Sequence, residues 1–261
     1  MSDNHDLIED EATGYLISVA DMMSGLLLVF IITLVAFILN FQDAIQKQKE
    51  VTATQKIIVR TITNAEQIRS ELLLDIQARL TANDIQVEVD TEHGVLRLTE
   101  QAVLFDPGLD SLSENNQENL RTIGLVLEAI LPCYSANAPN DGSCDNYAHF
   151  KGKVDSIFIE GHTDNVPMNS WRIDDNWVLS ARRAITAYRL LVPDTVLEKM
   201  QNKSDQPIFS VSGYGEGRPV DGHQYEAPTS DPVNRRIDIR FIMTPPALTD
   251  IQKQIIEIGG T

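Results

Sequence analysis

The fold is decided by residues 159–167, whose sequence is Ile159-Glu160-Gly161-His162-Thr163-Asp164-Asn165-Val166-Pro167. The apolar residues of Val154 to Glu160 predict a strand that ends within this stretch. The polar residues and the proline that follow predict a tight loop. His162 beside Asp164 could serve general acid/base chemistry. Because no nucleophile, phosphate loop or metal-ligand spacing accompanies the pair in the sequence, a role in shaping the loop is favoured.

Strands and helices alternate on both sides of this stretch from residue 83 onwards. Residues 85–89 and 95–98 alternate in polarity around a Glu92-His93-Gly94 turn, which predicts a hairpin. Ser113 is the predicted N-cap of a helix that ends at Leu131. The remaining predicted elements are a helix over 175–191, a short helix over 196–200, and strands over 208–212 and 236–243. This order predicts a two-layer α/β domain over residues 83–245.

Residues 15–41 are apolar and long enough to cross a membrane. Asp21 lies among them, and no charged residue occurs from Met22 to Leu39. A carboxylate on a spanning helix costs roughly 2.5–3.5 kcal/mol, so such residues usually face a protein interior and take part in ion movement. The alternative is that Asp21 lies near the headgroups and marks the start of the helix.

The segments around the span differ in composition. Residues 1–14 are polar and acidic, which predicts a disordered leader. They lack the basic region of a signal peptide, so an uncleaved single-pass anchor is expected. Residues 42–82 contain no proline or glycine and predict a helical linker. Its heptad-like apolar seam fits a helix that pairs weakly or docks on its own domain, or an ordinary amphipathic helix. Residues 246–261 form a C-terminal tail without an assigned role.

The charge of the chain limits its partners. The formal net charge is −17, from 38 acidic and 21 basic residues, which argues against nucleic acid as a partner. The chain also lacks a polybasic patch for anionic lipid. The basic residues Lys47, Lys49, Lys56 and Arg60 follow the span, and the positive-inside rule would place that side in the cytoplasm.

Two cysteines, Cys133 and Cys144, lie in a loop rich in Ser, Asn, Pro, Asp and Gly, which is expected to be exposed and irregular. They predict a disulfide formed in an oxidising compartment, worth roughly 2–3 kcal/mol. The alternative is two unpaired thiols in a reducing cytoplasm. The disulfide interpretation places the C-terminal part outside the cytoplasm, against the distribution of lysines.

Four motifs in order resemble the OmpA-like peptidoglycan-binding domain. They are Gly161-His162-Thr163-Asp164-Asn165-Val166-Pro167, Asn176-Trp177-Val178-Leu179-Ser180-Ala181-Arg182-Arg183-Ala184, Gly213-Tyr214-Gly215-Glu216 and Asn234-Arg235-Arg236-Ile237-Asp238-Ile239. The first two are most similar to those of MotB-type stator proteins. Ala20-Asp21-Met22-Met23 resembles the segment around the proton-carrying aspartate of these stators. The resemblance covers about residues 83–243, plus the span.

This resemblance implies a site for the zwitterion of diaminopimelate in the peptidoglycan stem peptide. By the family's motifs, Asp164 binds the ammonium group and Arg183 binds the carboxylate, for which its planar fork is suited. Asn176 matches a family position near the same pocket. Asp106, in the loop after the hairpin, is a further candidate. The alternative for Asp164 and Arg183 is a structural salt bridge inside the domain.

The resemblance also implies a location and partners. Residues 42–261 should be periplasmic and the leader cytoplasmic, with the chain in the bacterial inner membrane. Two such chains would assemble with five MotA-like subunits, with Asp21 carrying protons or sodium ions, and neither enzymatic activity nor a cofactor is implied. The acidic leader and the cysteine-bearing insertion are more like ZorB, which pairs with ZorA in the Zorya anti-phage defence system, than like flagellar MotB. A flagellar stator, a passive wall anchor and an enzyme acting on peptidoglycan are the alternatives.

Overall fold

The computed structural model describes residues 4–168 and 175–245, without the side chains of residues 4–18, Ala148 and some positions between 50 and 63. The described helices are α1 Asn4–Thr81, α2 Glu114–Ile130 and α3 Asn176–Leu191. The described strands are β1 Val87–Asp90, β2 Val95–Leu98, β3 Val154–Gly161, β4 Phe209–Gly213 and β5 Ile237–Met243. Short 3-10 helices span Leu131–Tyr134, Asp145–Phe150 and Val196–Lys199. The described part of the chain divides into two compact units, residues 4–58 and residues 59–245.

In the first unit, α1 carries a candidate membrane span. The stretch Val19–Lys56 contains an 18-residue window with a mean hydropathy of 2.8, which is long and apolar enough to cross a membrane. Asp21 is exposed on this stretch, as are its apolar neighbours. The helix already begins at Asn4, so most of the leader that was predicted to be disordered is helical.

In the second unit, the end of α1 is part of the core. Ile68, Leu72, Leu73, Ile76 and Leu80 are buried in the same apolar cluster as the strands and the other two helices. The linker is helical as predicted, but the folded domain starts well before residue 83, because this apolar face of α1 packs on its own domain. Docking was one of the alternatives that the heptad-like seam left open.

The sheet has the order β1-β2-β5-β3-β4. The predicted hairpin pairs Val87 with Leu98 and Asp90 with Val95 in antiparallel register. β3 and β4 are the parallel pair, and the connection between them contains α3. The predicted strands and helices are all present, and the predicted N-cap Ser113 accepts a hydrogen bond from the backbone N–H of Asn116 at 3.3 Å. The mixed α/β fold predicted from the sequence is therefore confirmed.

Helix α3 lies directly against the ends of β3 and β4. A side chain at Gly161 would collide with the carbonyl of Ser180, and one at Gly213 would come within 2.6 Å of the backbone nitrogen of Ala181. Both positions therefore require glycine. This close approach brings the N-terminus of α3 beside the loop that follows β3.

The loop with the cysteines is more ordered than predicted. Cys133 and Cys144 form a disulfide, and they are only 5% and 8% exposed. The ring of Tyr134 stacks on that of Phe150 with 5.0 Å between centroids. The expectation of an exposed irregular loop was wrong for this part, because its aromatic residues join the core and draw the cysteines inward.

Candidate functional site

The candidate site lies where β3 ends, α3 begins and the turn after β4 passes. The backbone N–H of Thr163 donates to the carbonyl of Gly215 at 2.9 Å, which ties the loop after β3 to that turn. The side-chain amide of Asn176, the first residue of α3, donates to the carbonyl of Val166 at 3.0 Å. It also reaches the carbonyl of Asp164 at 3.5 Å. Three separate segments are thus held together at the carboxyl end of the parallel pair of strands.

Asp164 is almost buried, with 7% of its surface exposed. Its Oδ2 accepts a hydrogen bond from Nη1 of Arg235 at 2.9 Å and from the backbone N–H of Asp231 at 3.3 Å. Its Oδ1 accepts from the backbone N–H of Val166 at 3.4 Å. These donors hold the carboxylate in one orientation and satisfy its negative charge in the free protein.

Arg183 is fully buried, and its guanidinium points at backbone carbonyls. Nε donates to Leu109 at 2.9 Å, Nη2 to Asp106 at 3.0 Å and Nη1 to His162 at 3.3 Å. The guanidinium also lies over the ring of Phe105, 5.1 Å from its centroid. Burial lowers the pKa of Arg183 to about 10, so the side chain is still charged at neutral pH. These three hydrogen bonds use three of the five N–H donors of the guanidinium.

The structure brings the predicted residues into one place. Asp164, Asn176 and Arg183 all contact the loop after β3, and the Asp106 loop touches Arg183. The contribution of Asp106 is its main-chain carbonyl, while its side chain is exposed. Within the described ranges no ion pair joins Asp164 to Arg183. The structural partner of Asp164 is Arg235.

The sequence analysis did not place Arg235 in the site. Arg235 belongs to the fourth motif, and its acidic partner is Asp164. The antiparallel pairing of β5 with β3 places Ile237 opposite Gly161, so the few residues before Ile237 lie near the few residues after Gly161.

A second polar cluster lies on β3, β5 and β2, on the face of the sheet opposite to α3. Glu160, His162 and Asp238 bring donor atoms within 4.8 Å of one another, a spacing that could suit a metal ion. The carboxylates are already bound by arginines, however. Arg240 donates to Glu160 at 2.8 Å, and Arg236 donates to Asp238 at 3.1 Å. The trio is therefore best described as a buried ion-pair network.

His162 is 1% exposed within this network. Burial, followed by the charges of Arg236 and Arg97, lowers its pKa to about 2. The imidazole is therefore neutral at physiological pH and cannot act as an acid there. This argues against the general acid/base role that the sequence left open.

Comparisons with known proteins agree with this architecture. Residues 144–235 match the OmpA family model, so the matched stretch contains Asp164, Asn176, Arg183 and Arg235. The chain therefore carries an OmpA-like domain.

Two curated Bacillus subtilis proteins are similar over a longer stretch. The uncharacterized protein YtxE is 25% identical over 244 residues, which is 87% of this chain and 88% of that protein. Motility protein B is 24% identical over 177 residues, which is 68% of this chain but only 56% of that protein. Among solved structures, a putative MotB-like protein from Desulfovibrio vulgaris is 21% identical, with a TM-score of 0.45 over 70% of this chain and 98% of that one.

Proposed function

We propose that this chain is an ion-conducting stator subunit that is anchored to peptidoglycan and works in an inner-membrane motor. The observation that carries the proposal is that Asp164 and Arg183 are both buried beside one loop, with opposite charges and without a bond to each other. The OmpA family match covers both residues. The candidate span adds the membrane half of the function, since Asp21 directly precedes its uncharged stretch from Met22 to Leu39.

The wall-binding chemistry follows from this separation of charge. A diaminopimelate residue carries an ammonium group and a carboxylate on one carbon. Asp164 would accept the ammonium and Arg183 would bind the carboxylate through its remaining N–H donors. Asn176 fixes the loop that positions Asp164, and the carbonyl of Asp106 orients Arg183. Because both charges are shielded from water, each contact with the ligand would be stronger than on an open surface.

The motor chemistry rests on Asp21. An exposed carboxylate on an apolar helix is unfavourable in lipid, so partner helices must cover it. Protonation of Asp21 removes its charge and changes which arrangement of the partner helices is favoured. A proton that crosses a potential of 100 mV releases about 2.3 kcal/mol, which repeated cycles would convert into movement of the partner. The OmpA-like domain would hold the chain still against that movement.

The proposed partners are a second copy of this chain and a MotA-like or ZorA-like membrane subunit, in a ratio of two to five. The acidic leader and the disulfide-bearing insertion favour a ZorB-like role in anti-phage defence. The disulfide also supports a periplasmic position for the OmpA-like domain, because such bonds persist in oxidising compartments. The similarity to motility protein B supports the alternative of a flagellar stator.

Co-sedimentation of the full-length protein with purified sacculi tests wall binding. We expect Arg183→Gln to abolish co-sedimentation. Arg182→Gln is the matched control, since the side chain of Arg182 is 41% exposed and lies 3.7 Å from Asp110. The denaturation midpoint of each variant shows whether it is folded. Equal binding by a folded Arg183→Gln protein would refute the proposed site.

Proton flux in vesicles that hold the chain and its membrane partner tests the motor half. We expect Asp21→Asn to abolish flux while wall binding is retained. Asp43→Asn is the control, because Asp43 is an exposed acid that pairs with Lys47 on the same helix. If Asp21→Asn keeps full biological activity, the chain is a passive wall anchor.

A further inference from the structure

Trp177 is an unusual residue in the OmpA-like domain because its indole is 55% exposed. It is the second residue of α3. It directly follows Asn176, which is buried and only 6% exposed. Tryptophan is enriched at binding interfaces, because its large apolar ring carries an N–H donor at one edge.

The indole lies beside two glycines of the turn that follows β4. A Cβ atom at Gly215 would lie 3.5 Å from Cδ1 of Trp177, and one at Gly217 would lie 3.9 Å from Cζ2. The two glycines support one side of the ring with backbone. Gly215 has a φ of 52°, a conformation that disfavours any larger residue there. The rest of the ring is left uncovered.

The backbone below the ring is fixed by one hydroxyl group. Oγ of Ser180 donates to the carbonyl of Trp177 at 2.9 Å and accepts from the backbone N–H of Gly215 at 2.9 Å. These two hydrogen bonds of Ser180 connect the start of α3 to the glycine turn. Little conformational freedom remains to be lost when a ligand packs on the indole.

This platform adjoins the charged pocket. The amide of Asn176 contacts the backbone of Asp164 at 3.5 Å, and Thr163 is bonded to Gly215. In peptidoglycan, two amino acids separate the diaminopimelate from the N-acetylated sugar that carries the stem peptide. An extended peptide of three residues spans at most roughly 10 Å, so the sugar must lie close to the pocket when diaminopimelate occupies it.

We propose that Trp177 is a sugar subsite, on which the pyranose ring of the N-acetylated amino sugar packs with its C–H face. This inference rests on the proposed wall binding and adds the glycan to the ligand. An indole offers a flat apolar face of a size that matches a pyranose ring, with an N–H group at its edge for a sugar oxygen. The pocket at Asp164 and Arg183 then selects the peptide, and Trp177 favours peptide that is still joined to glycan.

Calorimetric titration of the full-length protein with two ligands tests this subsite. The ligands are a stem peptide that ends in diaminopimelate and the same peptide joined to its disaccharide. We expect Trp177→Ala to weaken binding of the glycosylated peptide about tenfold and to change binding of the free peptide less than about twofold. Trp177→Phe should retain most of the affinity, since a flat ring remains. The control is Leu125→Ala, which removes a side chain that is 66% exposed on α2.

The outcomes separate the two proposals. If Trp177→Ala binds both ligands as the unmodified chain does, the sugar subsite is refuted while wall binding stands. If the variant loses both ligands equally, Trp177 has no specific role towards sugar, and the subsite is refuted. If the unmodified chain binds neither ligand, both proposals fail.

Fluorescence offers an independent measurement, because the chain has two tryptophans. In a Trp171→Phe background, the emission of Trp177 should change on addition of the glycosylated peptide and stay constant with the free peptide. A constant emission with both ligands, at concentrations where calorimetry shows binding, would refute the stacking contact.

Discussion

Asp164 is ion-paired with Arg235, with 2.9 Å between Oδ2 and Nη1, whereas the hydrogen bonds of Arg183 within the described residues go to backbone carbonyls. The anion and the cation of the candidate site therefore have different structural partners. Arg235 lets the domain bury a carboxylate without collapsing it onto Arg183. The carbonyls of Leu109, Asp106 and His162 accept hydrogen bonds from the buried guanidinium of Arg183, so this guanidinium is satisfied without the carboxylate of Asp164. A zwitterion can then meet two charges that are held apart.

The first prediction concerns this ion pair. Asp164→Asn leaves the charge of Arg235 buried without its carboxylate, and removal of one partner of a buried pair costs about 3–5 kcal/mol. We expect a loss of that order in the free energy of unfolding by urea, together with loss of co-sedimentation with sacculi. The double variant Asp164→Asn/Arg235→Gln should lose less stability than the sum of the single variants.

Measurements of wall binding distinguish the role of Asp164 from that of Arg235. The double variant, even where its stability is partly recovered, should not recover wall binding, because the carboxylate that accepts the ammonium is gone. Strictly additive losses in stability would show that the pair does not couple. Recovered binding in the double variant would show that Asp164 does not contact the ligand.

The second prediction concerns the end of α1. Leu73 is fully buried and its neighbour Leu74 is 52% exposed, so they form a matched pair. Leu73→Ala should lower the free energy of unfolding of the second unit by about 2–5 kcal/mol, since it opens a cavity in the core. Leu74→Ala should change it by less than about 0.5 kcal/mol. Urea denaturation of the full-length protein, followed by near-UV circular dichroism, measures both. Equal effects would mean that α1 does not belong to the core.

The pattern of Ile68 to Leu80 shows what the sequence could and could not predict. Period and breaking residues predicted the five strands and the helices α2 and α3 with the N-cap at Ser113, but not the 3-10 helices Leu131–Tyr134 and Asp145–Phe150. The same pattern left open whether the seam of α1 faces another chain or its own domain. Periodicity shows which face of a helix is apolar, but it does not show what covers that face.

Arg235 and the cysteine loop illustrate the same limit at the site. Pairing of β3 with β5 places Arg235 beside Asp164, and a contact between residues so distant in sequence depends on the register of strands. In the loop, polar composition predicted exposure, yet Tyr134 and Phe150 are buried. The free energy gained by burying a few aromatic side chains outweighs the preference of many small polar residues for solvent, because each aromatic side chain buries a large apolar area.

The third prediction concerns the pH dependence of stability. The pKa of His162 is lowered by burial from 6.5 to about 2. Between these values the unfolded chain binds a proton at this residue and the folded chain does not. Its contribution to stability is therefore fully present above pH 6.5 and is lost as the pH falls, by up to about 1.4 kcal/mol per unit. Urea midpoints of the unmodified chain should fall between pH 7 and pH 5, and those of His162→Gln should fall less. Parallel pH profiles would contradict the prediction.

The fourth prediction concerns the disulfide between Cys133 and Cys144. Its loop is short, so by the chain-entropy account its reduction should lower the free energy of unfolding by roughly 2–3 kcal/mol. The loop also contacts the end of α1, since Nη2 of Arg79 donates to the hydroxyl of Tyr147 at 3.3 Å. Reduction should therefore increase hydrogen exchange in the last turns of α1 as well as in the loop. The Cys133→Ser/Cys144→Ser variant should match the reduced protein and be insensitive to dithiothreitol. Unchanged exchange in α1 on reduction would show that the loop does not stabilise the helix.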